Sequence, residues 1–111
     1  MTVLKTFKGD EIVVNIESDV CFYKTPRNLP NNQYGYTAGT DIYGHKEQSG
    51  VMHYYIYDWS TSEDMENEYN RLSNEEVQDY LRDKVTMNRL SNNEIRIAEE
   101  YFSGIFDNMP G

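Results

Sequence analysis

The chain has 111 residues and sets 19 Asp and Glu against 10 Lys and Arg, a net charge of −9. A molecule this acidic is repelled by phosphate backbones and anionic lipid headgroups, which proteins bind with Lys and Arg, so direct nucleic-acid binding and membrane-surface binding are disfavoured. One cysteine, Cys21, excludes an internal disulfide, and the apolar runs are too short to cross a bilayer. No basic segment followed by an apolar run reads as a signal peptide, so the expectation is a single soluble domain over residues 1–111 in a reducing, cytoplasmic compartment, the host cytoplasm if phage-encoded.

Residues 1–59 read as mainly β. Thr2 to Phe7 predicts a first strand, Lys8-Gly9-Asp10 a turn, and Glu11 to Glu17 a second strand with Ile12, Val14 and Ile16 on one face. Val20 to Thr25 continues the meander, and a loop rich in turn residues follows over roughly 26 to 39. Thr40 to His45 and Val51 to Trp59 predict two more strands joined by a connection containing Gly50. Tyr54 and Tyr55 are consecutive in the last of these, so they point to opposite faces, and one of them is expected to stay exposed.

Residues 60–106 read as mainly α, ahead of a tail at 107–111. Met65, Tyr69 and Leu72 fall at i, i+4, i+7. Val77, Tyr80, Leu81 and Val85 form a second helical stripe, and Ile95, Ala98, Tyr101, Phe102, Ile105 and Phe106 a third. Ser73 and Ser91, each followed three residues later by Glu, read as helix N-caps. The predicted architecture is therefore α+β, an N-terminal antiparallel sheet of four or five strands followed by three helices packed on one face.

The distinctive chemical feature is charge concentration. Asp58, Glu63, Asp64, Glu66, Glu68, Glu75, Glu76 and Asp79 face one cation, Arg71, giving this stretch −7, whereas residues 1–57 carry only −1. Competing chemistries fit the residues less well. His45, His53 and Cys21 lack the spacing of a zinc or Cys-His site. A calcium loop read from Asp64 has Tyr69 where the tight turn requires glycine. The carboxylates lie in no apolar segment that would prepare a glycosidase-like acid, and the last two helices lack the charge for DNA. No cofactor or metal is expected and no catalysis.

Carboxylates 5 to 6 Å apart on a helix are spaced on the scale of strand phosphates and suit a cationic groove. The expectation is thus a small acidic inhibitor that binds the basic nucleic-acid groove of a nuclease or other DNA- or RNA-handling enzyme as a nucleic-acid mimic. In size and charge the chain resembles the small acidic anti-CRISPR and anti-restriction inhibitors of phages and mobile elements; the likeness is of composition, and no motif accompanies it. An immunity protein for a nuclease toxin would use the same electrostatics. Tyr34 and Tyr36, in a loop with small and amide residues, are candidate partner-binding aromatics. Two rival readings are a structural or assembly module that self-associates through its tyrosine-rich sheet, and a small-ligand enzyme built around the Tyr34 to His53 region.

Overall fold

In the computed structural model, residues 2–25, 38–60 and 67–107 are described. They form six strands and two helices: β1 (Thr2–Lys5), β2 (Glu11–Val14), β3 (Val20–Tyr23), β4 (Ala38–Lys46), β5 (Met52–Ser60), β6 (Glu68–Leu72), α1 (Asn74–Thr86) and α2 (Asn92–Tyr101). All strand pairs are antiparallel, but they divide into two sheets, a β1-β2 hairpin and a four-stranded sheet in the order β3-β4-β5-β6.

This corrects the expected single sheet under three helices. The segment read as the first helix contains β6 instead, paired with β5 from Tyr54↔Leu72 to Asp58↔Glu68. The reason lies in which cores its two apolar residues reach. In a strand, positions 69 and 72 point to opposite faces. Tyr69 accordingly joins the tyrosines on one face, and Leu72 packs into the core on the other. Because both faces of the sheet are covered, an i, i+3 apolar pair can serve a strand as well as a helix, and cross-strand pairing decides between them.

The sheet is the middle layer. On one face Phe22, Ile42 and Ile56 meet Val77 and Leu81 of α1 and Ala98 of α2, continued by Leu90, Phe102 and Ile105. On the other, Leu4, Ile12 and Val14 of the hairpin cover Tyr43 and Tyr55. This second layer explains why the hairpin is separate. Its inward residues alternate with exposed Val3 and Val13, so only one of its faces is apolar enough to bury deeply. The turn between β1 and β2 needs a positive φ at Gly9 (+89°), closed by hydrogen bonds from Thr6 N–H to Asp10 O (2.7 Å) and Gly9 N–H to Thr6 O (3.0 Å).

Both helices start on full capping boxes. Ser73 Oγ accepts from Glu76 N–H (3.1 Å) while Glu76 Oε1 accepts from Ser73 N–H (2.9 Å); Ser91 and Glu94 repeat the arrangement at 3.2 and 2.9 Å. Glu94 also accepts from Lys24 N–H (3.1 Å), tying the start of α2 to the end of β3. The helix read to Phe106 stops at Tyr101. Phe102 and Ile105 stay buried, but they do so from turns, with Gly104 at φ +75°.

Candidate acidic surface

The described carboxylates occupy two places at opposite ends of β6. Asp58 on β5 and Glu68 on β6 are direct register partners. Like charges so placed repel, and no Lys or Arg among the described residues lies within ion-pair distance of either. Burial, and then the charge of Glu68, holds the Asp58 carboxyl above the usual carboxylate range. Glu75 and Glu76 begin α1 beyond the far end of β6, a strand about 13 Å long.

Those two have different roles. Glu76 is committed to capping, and its hydrogen bonds to Ser73 hold its carboxyl below the ordinary glutamate value. Glu75 is exposed, as is Asp79, whose Oδ1 lies 3.2 Å from Arg82 Nη1. Asp83, not among the sequence candidates, completes the pattern. Glu75, Asp79 and Asp83 recur at i, i+4, i+8, all exposed, while Val77 and Leu81 of the same helix are fully buried. Each step along this stripe rises about 6 Å. Its i+4 spacing was the available signal, but Asp83 falls beyond the dense run that set the window.

Helical spacing therefore holds for Glu75, Glu76 and Asp79, whereas Glu68 belongs to a strand and pairs across it. Glu63, Asp64 and Glu66, together with Tyr34 and Tyr36 of the candidate recognition loop, lie outside the described residues.

The other candidate chemistries resolve into structural nodes. His45 and His53 are register partners on β4 and β5, and each meets a different acid. His45 Nδ1 is 2.9 Å from Asp19 Oδ1; Asp19 Oδ2 accepts from Tyr55 OH (2.6 Å) and Asn15 N–H (2.9 Å). His53 Nε2 lies 3.0 Å from Glu47 Oε1. The geometry there makes no hydrogen bond, so this nitrogen, sealed from solvent, has no aligned partner among the described residues.

Asp41 is fully buried and accepts from Thr25 N–H (3.0 Å), Trp59 Nε1–H (3.2 Å) and Tyr43 OH (3.3 Å). Burial, with the charges of Asp41 and Glu94, pushes the Cys21 thiol up to about 11, which keeps it protonated and a poor nucleophile at neutral pH. Among the described residues no group of three His, Cys, Asp or Glu side chains is placed to hold a metal ion, and no helix is long and apolar enough to cross a membrane.

The described tyrosines of the four-stranded sheet pack onto its two faces. Tyr43 stacks on Tyr55 (5.5 Å between centroids) and Tyr57 on Tyr69 (4.5 Å), all on the hairpin side of the sheet. Tyr54 points the other way, toward Phe22 and Phe102. Tyr55 is fully buried and Tyr54 half-buried, so neither is the exposed aromatic expected from the sequence. A comparison with family models, curated proteins and solved structures finds no match to this chain.

Proposed function

We propose that this chain is a non-catalytic acidic inhibitor that works in the cytoplasm by occupying the basic nucleic-acid groove of a DNA- or RNA-handling enzyme. The observation that carries this reading is the exposed stripe Glu75, Asp79 and Asp83 on a helix whose opposite face is anchored in the core. Carboxylates about 6 Å apart on a rigid rod present charge at a spacing that a groove built for phosphates can engage. Asp58 and Glu68, with no ion-pair partner among the described residues, supply a second anionic position, and long-range attraction between a −9 molecule and a cationic groove speeds encounter.

The test is capture of binding partners from phage-infected and uninfected lysates by the protein and by an Asp79→Lys/Asp83→Lys variant. Both substituted side chains are exposed, so the fold should persist. The expected result is a basic nucleic-acid enzyme retained at low salt, released by high salt or competing DNA, and lost with the variant. Equal capture by the variant, or binding indifferent to salt, overturns the proposal.

A further inference from the structure

We propose that the cleft where the N-terminal hairpin meets the Met52–Leu72 end of the four-stranded sheet and the start of α1 is a binding site for a small amphipathic carboxylate, with Arg71 as its anion receptor. The cleft has a volume of about 410 Å³, within the range of small-molecule sites. Leu4 and Ile12 of the hairpin and Met52 and Leu72 of the sheet supply apolar wall, and Ser73 and Asn74 bring the start of α1 to its rim.

Arg71 is the feature that selects the ligand. Among the described residues it is the only Lys or Arg on the wall, in a chain with nearly twice as many acids as bases. Even so, none of the described carboxylates lies within ion-pair distance of it. Its Nη1 donates to Thr6 O (2.9 Å) and, at 3.4 Å, to Lys5 O, and its guanidinium carbon sits 4.7 Å from the centre of the Phe7 ring. The group is thus oriented by backbone carbonyls and an aromatic face, neither of which neutralises its charge, and the bonds formed use Nη1 alone. A planar fork held this way is suited to an incoming carboxylate.

Glu76 turns back to cap Ser73, and Glu47 lies against His53. A single fixed cation matches a monoanion better than a phosphate dianion, and the apolar walls require a hydrocarbon body on the ligand.

The test is an NMR titration of the isotope-labelled full chain with benzoate and with hexanoate, using benzamide and hexanamide as neutral counterparts. Saturable shifts at the Thr6, His53, Arg71 and Asn74 amides are expected for a carboxylate, with the matching amide weaker by about tenfold. Asn74→Asp adds a negative charge at the rim while suiting a helix start, and should weaken the carboxylate by about threefold relative to the amide. Arg71→Gln should remove the preference for the charged form, and Arg71→Lys should restore part of it, which separates anion binding from any loosening of the hairpin. The proposal is overturned by the absence of saturable shifts with both carboxylates, by equal binding of the amides, by indifference to Asn74→Asp, or by inorganic phosphate binding as tightly as the carboxylates.

Discussion

Gly39 lies directly across from Trp59 in the β4-β5 register, and the indole covers it so closely that a Cβ on Gly39 would stand 2.8 Å from Trp59 Cζ2. Thr25 closes the other side, with its Cβ and Cγ2 both 2.7 Å from the same point. Trp59 is fixed by its hydrogen bond to buried Asp41, and Thr25 Oγ1 by bonds with the Thr40 backbone, so neither neighbour can yield easily. Gly39→Ala should therefore destabilise the protein by about 1–3 kcal/mol through overpacking. Chemical denaturation followed by tryptophan fluorescence measures this directly.

The partial burial of Asp58, together with its repulsion by Glu68, has a definite pH signature. The folded-state pKa of Asp58 is raised above its unfolded value, so the native fold takes up this proton more readily than the unfolded chain. Its unfavourable contribution is present in full above the folded pKa and is relieved as pH falls through it. Asp58→Asn should stabilise the protein at neutral pH by up to about 1 kcal/mol, and the gain should shrink toward acid pH. Denaturation midpoints of the variant and the parent, compared from pH 7 to pH 3, give the sign.

Each capping serine secures one end of a helix. Ser73→Ala and Ser91→Ala should each cost about 1 kcal/mol. The two caps share no partner, so the double variant should lose close to the sum. A shortfall in thermal or denaturant melts would show that one helix start is held by its packing instead.

Cys21 should be inert in the folded protein. With its thiol held up to about 11, the thiolate is a small fraction at pH 7.5, so a disulfide-exchange reagent should label it far more slowly than it labels the unfolded chain. Rapid labelling under native conditions would contradict the raised thiol pKa of this half-buried cysteine.

At the heart of the helix-side core, Leu81→Ala should cost about 2–5 kcal/mol, since the side chain is fully buried among residues of both the sheet and the helices. Urea denaturation quantifies the loss.

The β1-β2 and β4-β5 hairpins were legible because their turns carry strong local chemistry: Gly9 and Gly50 both take positive φ where the sequence marks a turn. The caps at Ser73 and Ser91 were legible for the same reason, since a capping box is a four-residue pattern with its own hydrogen bonds. The partition into two sheets was not. It depends on Leu4, Ile12 and Val14 meeting Tyr43 and Tyr55 from far along the chain, and no spacing within either segment encodes that meeting. The same hidden layer gave β6 its helical look. At the acidic surface, the concentration of charge was plain in Asp58 to Asp79. Its division between a strand pair and a helix face required knowing where β6 runs, and Asp83 was missed because it lies beyond the dense run.

The hairpin covers the tyrosine face of the sheet. Its inward side chains, with the bonds from Arg71 to the Lys5 and Thr6 carbonyls, hold it over the stacked tyrosines. A unit with its own turn and few attachments opens more readily than the sheet beneath it, so amide exchange should be fastest, as one cooperative group, across Thr2 to Val14. Each opening bares Tyr43 and Tyr55, whose hydroxyls stay tied to Asp41 and Asp19 while their rings meet water. The first fourteen residues thus keep an aromatic wall from becoming sticky, and shortening the chain from that end would turn a buried face into a surface that seeks a substitute partner.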